Sequence, residues 1–176
     1  MGFKVGIKQF SANWSSLEDR IFFSFNTEEG ELFQFWLTRA MTQFLLDRSQ
    51  LTVEQELSTQ HSERSSKLIS EFQKEGLKKQ IHFDDTFEGG QTTPLGVDPI
   101  LVVAINLELA KEGVQVALTL ASNQVVRFSL ASTQLQALTL LLERLAAQAQ
   151  WKLAEEEVIV IDAGQSILNN PPTQLH

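Results

Sequence analysis

Twice along this chain, apolar residues alternate with polar ones at a period of two and then change to a period near three and a half. Alternation makes one face of a strand apolar, and the longer period makes one stripe of a helix apolar, so each block must fold as strands that run into a helix. In the first block Ile21, Phe23 and Phe25 share a face, Thr27-Glu28-Glu29-Gly30 supplies a turn, and Phe33, Phe35 and Leu37 resume the pattern. This predicts an antiparallel hairpin, with an earlier strand over Phe3 to Phe10. Thr38 is placed to cap a helix that carries Ala40, Met41, Phe44, Leu45 and Leu51.

The second block is longer. Leu101, Val103, Ile105, Leu107 and Leu109 alternate, and after turns the pattern returns in Val114 to Leu120 and in Val126, Phe128 and Leu130. Three consecutive strands of this kind predict a meander. The capping-box spacing Thr133-Gln134-Leu135-Gln136 then opens a helix with Leu135, Leu138, Leu142, Leu145 and Ala149 on one side. The fold class expected is α+β: antiparallel meander and hairpins packed with amphipathic helices, with a ββα-type internal duplication suggested by the two strand-to-helix junctions. The whole of 1–176 reads as a single domain of two pseudo-repeated halves, 1–80 and 81–162, followed by an irregular tail, 163–176.

Between the blocks lies a second helical segment. Thr52-Val53-Glu54-Gln55 has capping-box form, which predicts a kink or break near Ser49 to Leu51 and a further helix to about Glu75, terminated at Gly76. Its apolar stripe is thin: Val53, Leu57, Leu68, Ile69 and Phe72. Such a helix is either a solvated arm or a surface that a partner completes. Ile81 to Phe87 and Val158 to Ile161 read as further short strands, and Glu88 to Pro99 as a loop rich in Gly, Pro and Thr.

Charge narrows the partners. The chain has 14 basic and 22 acidic residues, a formal net charge of -8. Residues 1–50 carry 5 basic and 6 acidic groups, residues 51–90 carry 5 and 8, and residues 91–176 carry 4 and 8, so no third is basic. The densest basic cluster, Lys74, Lys78 and Lys79, is interrupted by Glu75. Nucleic acid is therefore disfavoured as a partner. Absence of cysteine closes thiolate metal sites, disulfides and cysteine nucleophiles. No apolar run is long enough to span a bilayer and no leader pattern is present, which predicts a cytoplasmic protein without membrane insertion.

Catalytic signatures are missing. There is no dinucleotide fingerprint, phosphate loop, nucleophile elbow or His-Glu-x-x-His, and adjacent acids such as Asp84-Asp85 or Glu155 to Glu157 fit a solvated surface. His82 and Asp84 would share a strand face, but two ligands do not make a metal site, and no metal or other cofactor is expected. Gly89-Gly90-Gln91 resembles the peptide-release loop of translation termination factors. Those factors surround it with basic residues, whereas Asp84, Asp85 and Glu88 precede it here, so the glycines are read as serving a turn. The segment Glu88, Gly89, Gly90 and Gln91 is the candidate mobile loop.

The reading that follows is a non-enzymatic protein-protein interaction or assembly protein, a subunit of a homo- or hetero-complex. Its candidate interaction residues are Trp14, Phe22 and Trp36, expected on the sheet face opposite the main apolar set, and Val53, Leu57 and Phe72 on the thin helix. The alternative is a single-stranded nucleic-acid binder. Several strands followed by a helix, twice over, is similar in outline to the Whirly and PUR folds, which implies stacking on Phe22 and Trp36 with charge from Lys4 or Lys8.

Overall fold

The computed structural model describes residues 2–58, 63–80, 86–111 and 113–151. Its elements are β1 (Gly2–Gly6), β2 (Gln9–Ser15), β3 (Arg20–Asn26), β4 (Leu32–Leu37), α1 (Arg39–Ser58), α2 (Glu63–Gln80), β5 (Ile100–Leu109), β6 (Val114–Leu120), β7 (Val125–Leu130) and α3 (Ser132–Gln148). The fold is α+β, and all the strands join one sheet in the order β1-β7-β6-β5-β4-β3-β2. Two antiparallel meanders, β2-β3-β4 and β5-β6-β7, each lead into a helix, as the alternation requires.

The sheet is mixed rather than wholly antiparallel. β4 runs parallel to β5 through the pairs Phe35↔Ile100 and Trp36↔Leu101, and β1 runs parallel to β7 from Gly2↔Val125 to Gly6↔Ser129. The first follows from topology: a helical crossover returns the chain in the direction in which it left, so the two meanders meet as parallel neighbours. The second arises because the expected strand over Phe3 to Phe10 is really two strands that travel to opposite edges of the sheet.

Register fixes which face each side chain takes. Phe10, Phe25 and Phe33 lie side by side, as do Ala12, Phe23 and Phe35, and Trp14, Ile21 and Leu37. These rows, with Val116, Leu118, Val126 and Phe128, form the core. Trp14 therefore belongs to the helix-covered face, packed against the core, and not with Phe22 and Trp36 as its sequence position suggested. A bulge between Val102 and Ala104 also shifts the phase of β5: Val102 and Ile105 are buried, and Val103 is turned outward, 47% exposed.

The core face is concave. Phe25 on β3 and Phe128 on β7 have ring centroids 5.0 Å apart although β4, β5 and β6 lie between them. Neighbouring strands are about 4.8 Å apart, so a flat sheet would separate β3 from β7 by roughly 19 Å. The sheet must curl for those rings to meet. α1 packs on β5 and more lightly on β3 and β4, and α3 reaches both β2 and β7. The helices thus close the hollow of the curl, and no helix among the described residues covers the convex face.

Helix boundaries follow the local hydrogen bonds. Thr38 Oγ1 accepts from the Met41 N–H at 3.2 Å, the cap expected for α1. The expected break at Ser49 to Leu51 does not occur, because the Thr52 hydroxyl donates to the Arg48 carbonyl at 2.7 Å and is not available as a cap. α2 continues through Gly76 to Gln80, since Gly76 keeps a helical backbone. α3 starts one residue before Thr133, and Gln134 Oε1 accepts from the Ala131 N–H at 2.8 Å. The proposed strands over 81–87 and 158–161, His61, His82, Asp84, Asp85, Glu155 to Glu157 and the tail lie wholly or largely outside the described residues.

Phe128, 1% exposed, is the ring that joins the two meanders. Phe128→Ala is expected to lower stability by about 3 to 5 kcal/mol in urea unfolding. Phe72→Ala, at an exposed helix position, is expected to leave the midpoint nearly unchanged.

Candidate functional site

Two surfaces stand out. The first is on the helical side, where α2 lies on α1 and α3 as an outer layer. Lys74 forms an ion pair with Glu143 of α3, and Gln136 Nε2 donates to Gln73 Oε1 at 3.2 Å. These polar contacts fix one side of α2 and leave apolar residues on another: Phe72 is 81% and Leu68 62% exposed, one turn apart. Beside them a groove of about 390 Å³ runs between α1, α2 and the start of α3, with Val53, Leu57, Phe72 and Leu77 in its lining. The three helix residues singled out from sequence, Val53, Leu57 and Phe72, are thus brought together. Val53 forms the buried floor, Leu57 is half-buried and Phe72 stands at the rim.

A second cavity of about 410 Å³ opens between the same helices, on the side of Ser49, Glu54, Glu71 and Lys74. Its lining residues other than Val53 are polar in type, although the surface they present is about half apolar. The two share Val53 and Gln136.

The other surface is the convex face of the sheet. Phe22 and Trp36 are cross-strand neighbours there and meet edge to face, with centroids 5.6 Å apart. Leu101 continues their row on β5. The strand positions of this face carry Lys4, Arg20 and Arg127 as cations and Glu108 as the carboxylate. Lys4 and Arg127 are direct neighbours. Sequence reading proposed Lys4 and missed Arg20 and Arg127; the signal was present, since each alternates with core residues, Arg20 with Ile21 and Arg127 with Val126 and Phe128. What was missing was the strand order that sets Arg127 beside Lys4.

The loop after residue 85 lies across one end of the convex face. Asn26, 2% exposed, donates to the Gly89 carbonyl at 2.8 Å, Gln9 Nε2 to the Thr86 carbonyl at 3.4 Å, and the Glu88 N–H to Gln9 Oε1 at 3.2 Å. Gln91 and Thr92 both donate to the Gly30 carbonyl. A Cβ on Gly90 would lie 2.7 Å from Leu32 Cβ, so the loop can approach the sheet this closely only with glycine there. Lys8, the other cation suggested for a nucleic acid, is held by Glu88 at 2.8 Å.

Among the described residues no group of three His, Asp or Glu side chains could hold a metal ion. No helix among them is long and apolar enough to cross a membrane. Compared with known protein families, curated proteins and solved structures, the chain matches none.

The Lys8–Glu88 contact is titratable. The hydrogen bond from Lys8, and behind it the Coulombic attraction, holds the Glu88 carboxyl below its usual range and raises the Lys8 ammonium above its own. A depressed carboxylate contributes while the pH is above its unfolded value, about 4.3, and that contribution is lost as the pH falls through the lower folded value. Carboxyl-carbon NMR of Lys8→Met is expected to show the Glu88 midpoint moving up toward the ordinary glutamate value. An unchanged midpoint would show that the pair does not form in solution.

Proposed function

We propose that this chain is a non-enzymatic assembly protein that seats an apolar segment of a protein partner along α2 and the groove beside it. The observation that carries the reading is the exposure of Phe72 and Leu68 in a helix that Lys74 and Gln73 tie to α3. An aromatic ring exposed on a helix face gains most from burial against another chain, and a flanking groove provides the place for the partner's side chains. A second copy of the chain is the first partner to test, because closed symmetric association is the commonest form of assembly. Light scattering over a concentration series is expected to give a mass above 19.8 kDa. Phe72→Glu with Leu68→Glu should return it to the monomer with little change in melting temperature. A wild type that stays monomeric at every concentration would reject self-assembly and leave a different protein as the partner.

A second reading has its own observation. The strand positions of the convex face have three cations to one carboxylate in a chain of net charge -8, and the cations share that face with the Phe22–Trp36 pair. Stacking residues beside cations suit single-stranded nucleic acid. Three phosphate contacts predict a slope of about -2 for log affinity against log salt, at roughly 0.7 per contact. Anisotropy with a labelled oligothymidylate should show that slope and lose at least tenfold affinity on Trp36→Ala or Arg127→Glu. Absence of binding at low salt would remove the reading.

A further inference from the structure

An open sheet has two edges, and here the two differ. β2 has α3 packed beside it, carries no charged side chain, and its central Ala12 is 7% exposed. β1 is open: Gly2, Lys4 and Gly6 are all exposed, and a Cβ on Gly6 would meet no atom within 4 Å. On the side away from β7 it has no strand partner among the described residues, so backbone N–H and C=O groups at alternate positions are left to solvent. Such an edge is a template for one more extended strand.

Charge sets what that strand can be. Lys4 is the middle residue of β1 and its partner in the register is Arg127 of β7, so two cations stand side by side on the convex face. Neither has a hydrogen bond or an ion pair among the described residues. Arg127 also leans outward: a Cβ built on Gly2 would lie 2.9 Å from its Nη1, so the guanidinium extends over the Gly2 backbone toward the open edge. Glu108, the carboxylate of this face, is on β5, beyond β7 and β6 in the sheet, and accepts from Asn106. A lysine on an edge strand is a common means of refusing self-pairing, and Lys4 serves that end, since two antiparallel copies of β1 centred on it would oppose like charges. A second cation beside it is not needed for that purpose. Like charges opposed across a ladder are destabilising, and a carboxylate on the next strand would relieve both.

We infer that the β1 edge takes an added strand from a protein partner, an extended segment with a carboxylate opposite Lys4 and an aliphatic residue on either side of it. The carboxylate would join Lys4 and Arg127 on the convex face. Its two neighbours, turned to the other face by the pleat, would extend the apolar cover beside half-buried Val5. This site does not rest on the reading of α2, with which it shares no residue.

The test uses the full chain and a blocked, fluorescent heptapeptide, Ser-Thr-Val-Asp-Val-Thr-Ser, with anisotropy read at constant ionic strength. Saturable binding is expected, about threefold weaker with Asn in place of Asp and about tenfold weaker with Lys there. Lys4→Glu should reverse that order and favour the Lys peptide. Two peptides N-methylated at alternate residues, one on each edge of the strand, should differ: the one methylated on the edge facing β1 fails to bind and the other binds. Phe72→Glu with Leu68→Glu should leave all of this unchanged, which separates failure here from failure at α2. Should a variant fail to fold, amide shift mapping on the wild type remains decisive, with perturbations centred on 2–6 and 125–129. No saturable binding, equal binding of the Asp, Asn and Lys peptides, or equal behaviour of the two methylated peptides would each overturn the inference. So would a Lys4→Glu effect on oligothymidylate binding with none on the peptide, which would assign these cations to nucleic acid.

Discussion

The contact between Phe25 and Phe128 is the constraint on which the remainder of the structure depends. Phe25 also stacks on Phe33 at 5.0 Å and meets Phe35 at 5.7 Å, so its ring is the point where both meanders converge. Because that convergence needs a curled sheet, it defines a hollow side and an outer, convex side. The hollow side must be filled, and α1 and α3 fill it with Leu45, Leu46, Leu135, Leu138 and Leu142. Once they occupy that space, α2 has no access to the sheet core and is left to pack on helices, with Lys74–Glu143 and Gln73–Gln136 tying it to α3. The exposed Phe72 and the polar cavity are both results of that second-layer position.

The same constraint separates the two candidate surfaces physically. On the helical side α2 exposes Phe72 and Leu68 and α1 exposes Phe44 and Leu51, and cations with an aromatic pair lie on the convex strands. The curl keeps these surfaces on opposite sides of the core, so a partner on one leaves the other accessible. Non-directional apolar burial would govern association at the helical surface, where shape and area would decide affinity. On the sheet, affinity would come from charge and stacking and would respond to salt.

Much of this was legible in sequence. Alternation at Ile21 to Phe25, Phe33 to Leu37 and Val114 to Leu130 determined the strands because a half-buried strand leaves no other pattern, and Leu135 to Leu145 determined α3 for the corresponding reason at helical period. Trp14 was misplaced because its face depends on the register with Ile21, which pairing alone sets. Thr52 looked like a cap because capping residues and mid-helix hydroxyls that bond back to a carbonyl have the same sequence appearance; the competing acceptor, the Arg48 carbonyl, exists only once α1 is formed. The pairing of β1 with β7 left no local signal whatever. Of the candidate site, Val53, Leu57 and Phe72 were read as one helix's stripe, whereas Val53 and Leu57 belong to α1 and Phe72 to α2 and only the packing of the two helices brings them together; Phe22 with Trp36 came from their shared phase. The cavity residues Ser49, Glu71 and Gln136 were not, since they come from three helices whose mutual placement no single segment encodes.

The parallel pairing of β1 with β7 also bears on how the molecule is made. Gly2 pairs with Val125, so β1 leaves the ribosome well before its sheet neighbour β7 is synthesised. Until β7 appears, β1 remains an unpaired edge and the Phe25 ring lacks its counterpart at Phe128. During translation the first meander can form its hairpins, but its apolar face stays open to water for the time needed to make the second. Loop-closure entropy is met late, and the interval is one in which such a chain exposes a row of phenylalanines to its surroundings. The curl that gives the finished protein its core therefore also sets the stage of synthesis at which it most needs protection from aggregation.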